Sequence, residues 1–356
     1  MLPAGASELV RRARRRGVVV LAGAAGLLAL ALLVSVGLGA LPLAPGKVVA
    51  ILAHAVGLDL GVPFTPVEAD VLLAIRLPRT LGGALVGAGL GVAGAVLQGL
   101  FRNPLADPGL IGLSSGAKLT ASLFLVLGAT PALSWAADLG PAALPVFAIA
   151  GAWGAAWLVY RLGLLHGRVD VARMLLAGVA LAVVAEALGG LLAFVAEDAQ
   201  LRAVTMWRLG SLGGMTWTAT GILAAFTAVA LLPTRRLARA LNAMLLGERD
   251  AGQLGVDVER TKRVAVGVAT IAVGAGVAFA GVIGFVGLVV PHLVRLVAGP
   301  DHRVVLPGAA LLGGAVLLGA DAVARTLVAP AEIPLGVVTA LLGAPFFLAL
   351  LLRRTS

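Results

Sequence analysis

Apolar residues fill long continuous stretches of this chain, and short polar segments separate them. A continuous apolar run of about 20 residues predicts a membrane-spanning α-helix, whereas the strands of a β-barrel alternate between apolar and polar positions. The sequence therefore predicts an all-α polytopic membrane protein with about ten transmembrane helices in a single domain, 1–356. The predicted spans are 18–40, 65–98, 109–128, 141–160, 174–196, 215–233, 264–281, 285–297, 304–328 and 335–352.

Three of these spans depart from the usual length or context. The second is too long for one perpendicular crossing, and we expect it to tilt or to project from the bilayer. The eighth is too short to cross fully. The first follows a basic segment, as the apolar core of a signal peptide does, but its apolar run exceeds the usual 7–15 residues of that core. We interpret it as a retained first span.

Composition agrees with a membrane protein. Hydrophobic residues make up 60% of the chain and charged residues 12%, against about a quarter charged in soluble domains. The 48 glycines are typical of helices that pack closely within a bilayer. The net charge of +10 does not indicate nucleic-acid binding, because the basic residues fall in short loops between spans. The absence of cysteine excludes disulfides and thiolate metal sites.

The distribution of basic residues predicts the orientation of the chain. If the N-terminus is cytoplasmic, most of the 27 basic residues lie on the cytoplasmic side. This bias favours an even number of spans with both termini in the cytoplasm. The segment 79–99 also resembles 260–284, and the two run in opposite directions under this topology. That resemblance predicts an inverted repeat, which is common in transporters.

The segment "RNPLADPGLIGLSSGA" (102–117) is polar and rich in turn-forming residues between two apolar runs. Its prolines cannot continue a helix, and Asn103 and Asp107 favour turns and caps. Non-helical backbone at this depth persists only where protein or a water-filled cavity covers it. A tight inner turn explains the prolines, and a packed elbow beside a pathway is the alternative. The residues concerned are Asn103, Pro104, Asp107, Pro108, Ser114, Ser115 and Gly116.

Two groups of polar residues fall within spans. His292 and Arg295 lie three residues apart on one face of the eighth span, and we predict a structural role for them as an anchor or a hydrogen-bond donor. A metal or heme-iron ligand role is not favoured, because the four histidines lack metal-ligand spacing. Asp321 and Arg325 lie four residues apart on the ninth span, where an ion pair that stabilises the helix is expected.

Three blocks of sequence carry a family resemblance. They are "RLPRTLGGALVGAGLGVAGAVLQGLFRNPLADPGLIGLSSGA" (76–117), "GFVGLVVPHLVRLVAGPDHRVVLPGAALLGGAVLLGADAVAR" (284–325) and "EIPLGVVTALLGAPFFLALLLRR" (332–354). The blocks closely resemble the FecCD-like permeases of bacterial type II ABC importers for iron–siderophores, heme and cobalamin. The resemblance implies a multi-pass inner-membrane subunit that works as a homodimer. It also implies two separate ATPase subunits, a periplasmic binding protein, and no cofactor on this chain, with ATP and Mg in the ATPase.

The resemblance also implies two contact surfaces. The cytoplasmic loop at about 234–263 is expected to form short helices that dock on the ATPase, and its small residues would permit close approach. The coupling residues are Gly247, Glu248, Ala251, Gly252, Leu254 and Gly255. On the outer side, Arg76, Arg79 and Arg325 are expected to receive acidic residues of the binding protein. The alternative is that these arginines anchor at lipid headgroups or pair with nearby acids of this chain.

Cargo is indicated by one outer segment. The run "DAQLRAVTMW" followed by "LGSLGG" within 196–217 is more similar to the heme-importing branch than to the cobalamin branch. Heme is therefore the expected cargo, with a ferric siderophore or cobalamin as the alternative. An ion-coupled secondary transporter is disfavoured because such proteins carry several carboxylates within their spans. An intramembrane enzyme is disfavoured because no catalytic set is found, and no nucleotide-binding loop occurs in the sequence.

Overall fold

The structure, a computed structural model, describes residues 4–39 and 41–353, so Ala40 and the predicted cytoplasmic Arg354 lie outside it. The described residues form fifteen α-helices and one hairpin, in which β1 (Leu164–Leu165) pairs antiparallel with β2 (Arg168–Val169). The helices are α1 Ala4–Gly37, α2 Pro45–Ala55, α3 Pro66–Asp70, α4 Leu77–Leu100, α5 Leu113–Leu127, α6 Ala143–Leu162, α7 Val171–Val195, α8 Asp198–Arg208, α9 Trp217–Leu231, α10 Thr234–Met244, α11 Glu248–Gln253, α12 Val258–Ala280, α13 Val286–Ala298, α14 His302–Thr326 and α15 Leu335–Arg353.

The helices match the predicted membrane spans in order. Six helical stretches in the described part are long and apolar enough to cross a bilayer, α9 and α10 form a seventh that is bent by 43°, and three shorter apolar helices remain. These correspond one to one with the ten predicted spans, so the all-α polytopic fold class is confirmed. The six stretches are Arg14–Gly37, Pro66–Leu100, Asp138–Leu162, Val171–Val195, Val258–Ala280 and His302–Thr326.

The second span is the central helix of the bundle. It runs without a break from Pro66 to Leu100 because a π-helical turn, Val71–Arg76, joins α3 to α4. Most residues of α4 are buried, and it packs against α9, α12, α13 and α14. Its length of 35 residues bears out the prediction of a span longer than one crossing.

Glycines let the neighbours of α4 approach its backbone. A side-chain carbon at Gly91 would lie 2.1 Å from the carbonyl oxygen of Ala309 in α14. One at Gly94 would lie 1.8 Å from the carbonyl oxygen of Gly287 in α13. Lipid already solvates the apolar faces of the helices, so there is no hydrophobic driving force for them to associate. Close van der Waals packing between the helices stabilises the bundle instead.

Substitution of Gly94 by alanine is expected to destabilise the chain by about 1–3 kcal/mol, because the added methyl group meets backbone that cannot move aside. Gly267 in α12 is the matched control, since nothing lies within 4 Å of a side-chain carbon there. Alanine at Gly267 should instead stabilise its helix by up to roughly 1 kcal/mol. Thermal unfolding midpoints of the two purified variants would test this, and equal midpoints would contradict it.

The boundaries differ from the prediction where polar sequence continues a helix. The loop predicted at about 234–263 is largely helical, because α10 and α11 lie within it and α12 already begins at Val258. The third span begins later than predicted, with a 3-10 turn at Pro108–Ile111 and α5 only at Leu113. Hydropathy marks the apolar interior of a span, and capping by Asp257 and Asp107 sets where the helical turns begin. The inverted repeat stays a prediction.

Candidate functional site

Two side chains hold the turn between α4 and α5. The Oδ1 atom of Asn103 accepts a hydrogen bond from the backbone N–H of Leu105 at 3.0 Å. The Oδ1 atom of Asp107 accepts one from Gly109 N at 2.7 Å and so caps the turn at Pro108–Ile111. Burial raises the pKa of the Asp107 carboxyl, and the hydrogen bond from Gly109 opposes that shift. The predicted tight inner turn is therefore built by the expected turn residues.

The same turn is packed against other spans. Ring carbons of Pro108 lie 3.0 Å from where a side chain at Gly287 would begin. Gly116 faces Gly151 of α6 so closely that a side-chain carbon there would lie 2.3 Å from the Gly151 carbonyl oxygen. A position beside the translocation pathway stays a prediction for this stretch. Its other predicted residues are Ser115, which is buried, and Pro104 and Ser114, which are half-buried.

Arg76, one of the three predicted docking arginines, forms hydrogen bonds to the backbone at the end of α1. Its guanidinium donates hydrogen bonds to the carbonyl oxygens of Val36 at 3.1 Å and Gly37 at 2.9 Å, and also to that of Leu41. The last carbonyl groups of a helix have no helical N–H to accept from, so an arginine there satisfies them. The Arg76 residue is 4% exposed, which places it inside the protein.

The other two arginines meet at one buried carboxylate. Arg79 Nη2 lies 2.8 Å from Asp321 Oδ1, and Arg325 Nε lies 2.9 Å from Asp321 Oδ2. Arg79 also donates hydrogen bonds to both carboxylate oxygens of Glu332, at 2.8 and 2.9 Å, and this contact lowers the pKa of Glu332. Arg325 donates to Ser35 of α1 as well. We refer to Arg76, Arg79, Arg325, Asp321 and Glu332 as the outer charge cluster, after the membrane side on which the sequence predicts these arginines.

The contacts of this cluster bear on the two alternatives given for the arginines. Arg79 and Arg325 pair with acids of this chain, and all three arginine residues are at most 8% exposed. The cluster thereby joins α1, α4 and α14 to the segment before α15. A role in binding-protein docking stays a prediction. Sequence reasoning missed Ser35 and the end of α1, because no local pattern marks partners that lie 290 positions apart.

The predicted coupling residues lie on and around α11. Gly247 and Gly255 flank this helix with φ of +118° and +82°, a backbone that favours glycine. Ala251 is fully buried, so it cannot present a small face to a partner as the sequence had suggested. Gly252 and Leu254 are exposed, and nothing lies within 4 Å of a side-chain carbon at Gly252. Only part of the predicted surface is therefore available for docking.

A buried lysine ties α11 to the rest of the chain. Lys262 Nζ lies 2.8 Å from Glu248 of α11, 3.3 Å from Glu259 and 2.9 Å from the carbonyl oxygen of Val169 in β2. Glu259 in turn accepts from Val169 N at 2.8 Å. The Lys262 residue is 3% exposed. Sequence reasoning did not single out Lys262, and its spacing of three residues from Glu259 was the one local signal.

The predicted structural residues of α13 contact neighbouring spans. His292 is buried and its ring meets that of Phe346 edge-on, with centroids 6.3 Å apart. Arg295 donates to the side-chain oxygen of Gln98 and to the Ala95 carbonyl oxygen in α4. Gln98, which the sequence did not single out, also donates to Leu288 O at 3.1 Å. Within residues 4–39 and 41–353, no group of three or more His, Asp or Glu residues could hold a metal.

Another polar group joins α5, α7 and α8. Glu186 of α7 accepts from Arg208 of α8 at 2.6 Å and from Lys118 of α5. The Lys118, Arg208 and Glu186 side chains are 22%, 34% and 48% exposed, so the group opens onto the surface. Two cations share one carboxylate here, which leaves a net positive charge. Glu186 falls within the predicted span 174–196, where a carboxylate needs a partner.

Comparison with known proteins identifies the family. Residues 27–353 match the model of the FecCD transport family. The chain belongs to this family. A solved structure described as an inward-facing metal-chelate type ABC transporter superposes with a TM-score of 0.79 at 30% identity, covering 94% of this chain and 98% of that one. The FecCD assignment makes this chain a permease subunit of an ABC importer.

Several FecCD-like relatives are similar over most of their length. The hemin transport system permease protein of Yersinia pestis is 45% identical over 290 residues, which cover 80% of this chain and 84% of that protein. A cobalamin import permease of Halobacterium salinarum is 45% identical over 312 residues, covering 85% and 78%. The vitamin B12 permease of Escherichia coli is 43% identical over 290 residues, covering 82% and 86%. These identities do not separate heme from cobalamin.

Proposed function

We propose that this FecCD-family permease imports heme, delivered by a periplasmic binding protein, into the cytoplasm. It acts as a homodimer in the inner membrane with both termini in the cytoplasm. Two separate ATP-binding cassette subunits supply ATP hydrolysis, and the exposed face of α11 is where they dock. The basic residues at the cytoplasmic ends of the spans support this orientation.

The main observation that supports heme is the group of Lys118, Glu186 and Arg208. Heme bears propionate carboxylates, whereas the corrin side chains of cobalamin end in amides. Lys118 and Arg208 both contact one carboxylate and stay partly exposed, so a cargo carboxylate can take up the excess positive charge. The resemblance of the segment 196–217 to the heme-importing branch points the same way, and Arg208 lies within that segment.

Transport into vesicles tests the proposal. Vesicles that contain the permease, its ATPase and its binding protein are expected to accumulate heme in preference to a ferric siderophore or cobalamin. Replacing both Lys118 and Arg208 by glutamine should lower heme uptake by about tenfold, the equivalent of one charge-assisted hydrogen bond. Lys47→Gln is the matched control, because Lys47 also pairs with a glutamate but lies before the second span.

Two outcomes would overturn the choice of heme. One is uptake of cobalamin or a ferric siderophore with no uptake of heme. The other is heme uptake by the double variant at the rate of the Lys47→Gln control. The first result would leave the importer function intact with a different cargo, because the family assignment does not depend on cargo.

A further inference from the structure

A large apolar cavity lies where α9 bends into α10 beside α14. Its volume is about 730 Å³, and its walls include Leu231 at the end of α9, Ala238 of α10, and Leu306 and Leu311 of α14. Helices α9 and α10 meet at a bend of 43°, and residues on both sides of the bend line the cavity. The cavity lies at the same membrane side as the loop that carries α11, because α10 leads into that loop.

Three arginines line the cavity with the apolar side chains. They are Arg235 and Arg239 of α10 and Arg303 of α14, and all three are exposed. In the described part of the chain none of their side chains forms a salt bridge. The nearest acid in sequence, Asp301, is engaged by Asn242 and by the backbone N–H of Arg303. The rim of the cavity therefore has an excess of positive charge.

Charge and apolar surface are ordered along the cavity. On α14 the residues Arg303, Pro307 and Leu311 follow each other at intervals of four, so they share one helix face. That face runs from a cation at the helix start to apolar side chains about 12 Å further along. On the other wall Arg235 and Arg239 share a face of α10, and the apolar Leu231 lies behind them in α9. Both walls thus place cations at the loop end and apolar residues toward the middle of the spans.

We propose that this cavity binds one anionic phospholipid of the inner leaflet. The phosphate-bearing headgroup contacts Arg235, Arg239 and Arg303, and an acyl chain lies along Leu306, Ala310 and Leu311. Basic pockets between transmembrane helices on the cytoplasmic side suit anionic headgroups. The bilayer around the chain supplies such lipids at high local concentration. Among the described residues the three arginines form no ion pair with an acid of this chain, which leaves them available to the headgroup. The site is independent of the cargo.

Native mass spectrometry of the purified full chain tests the site. The chain is taken from membranes with equal amounts of phosphatidylglycerol and phosphatidylethanolamine, and the lipids that remain bound are identified. The wild type is expected to retain phosphatidylglycerol selectively. The cavity triple variant combines Arg235→Gln, Arg239→Gln and Arg303→Gln. Each of its three substitutions should weaken phosphatidylglycerol retention roughly fivefold, the equivalent of about 1 kcal/mol per cation near a membrane surface.

Two further variants separate the site from general surface charge. Arg161→Gln, Arg168→Gln and Arg173→Gln together remove the same charge around the α6–α7 hairpin, on the same membrane side, and should leave retention unchanged. Ala310→Trp fills the cavity while keeping all three arginines, and should lower retention. Size-exclusion profiles check that the cavity triple variant stays folded. The single variant Arg303→Gln disturbs the fold less and should still weaken retention.

Three results would overturn the proposal. The first is equal phosphatidylglycerol retention by the wild type and the cavity triple variant. The second is an equal loss in the control triple variant, because general surface charge would then explain retention. The third is loss of ATPase copurification with unchanged lipid retention, which would assign the arginines to the ATPase interface.

Discussion

Asp321→Ala is expected to lower the free energy of unfolding by about 3–5 kcal/mol, because it leaves buried guanidinium groups without their shared carboxylate. Asp321 is 1% exposed and contacts both Arg79 and Arg325, which are themselves buried. After the substitution only Glu332 remains to pair with these cations in the outer charge cluster. Arg325 then has no carboxylate to offset the cost of its desolvation, and Arg79 keeps only Glu332.

Thermal unfolding of the purified chain in detergent measures this effect. Glu332→Gln is the matched control, because the Glu332 side chain is 42% exposed and its loss should cost no more than about 1 kcal/mol. The control keeps the Asp321 contacts and differs mainly in burial. Similar unfolding midpoints for Asp321→Ala and the wild type would show that the cluster does not hold the spans together.

The contacts in the outer charge cluster also change the result expected when the charge of its arginines is reversed. The docking hypothesis predicts that Arg76→Glu with Arg79→Glu abolishes binding of the periplasmic protein while assembly and basal ATP hydrolysis persist. The contacts of both residues lie within this chain, so reversal should instead reduce the amount of folded permease. Folded yield and binding-protein affinity, measured on the same preparation at low salt, distinguish the two outcomes.

Gly252→Trp is expected to abolish coupled transport while the permease itself stays folded. Gly252 is exposed on α11, and a side-chain carbon added there would meet nothing within 4 Å. An indole would therefore occupy the surface that we propose docks on the ATPase. We expect transport to fall at least roughly 30-fold, the equivalent of a 2 kcal/mol hot spot at an interface. ATPase copurification and cargo-stimulated hydrolysis are the measurements.

The neighbouring residue supplies the matched comparison. Ala251 is fully buried, so Ala251→Trp should lower the unfolding midpoint of the permease by itself. Gly252→Trp should leave that midpoint unchanged. Normal transport by Gly252→Trp would remove this face of α11 from the mechanism.

Lys262→Met distinguishes docking from the transmission of movement. Lys262 joins Glu248 of α11 to β2 and to the first turns of α12. Without this link the ATPase should still copurify, because the exposed face of α11 is unchanged. Its hydrolysis should respond less to cargo and binding protein, since α11 then moves with less effect on the spans. An unchanged response would limit Lys262 to a structural role.

The sequence alone determined the fold class, the order of the apolar helices and the turn between α4 and α5. Backbone polar groups have no water to pair with inside a bilayer, so long apolar runs have to form helices. Proline, Asn103 and Asp107 act through local geometry, so a local pattern predicts the turn they build. The family also followed from the sequence, because three blocks matched in register along most of the chain.

Only the tertiary structure decided which charges are paired and which small residues are accessible. Arg79 meets Asp321 and Glu332 across more than 240 positions, and Lys118 meets Glu186 across 68. The six residues of α11 are too few for periodicity to separate the buried Ala251 from the exposed Gly252. Contacts between distant segments depend on how the helices pack, and the local order of residues does not specify which distant side chains then meet.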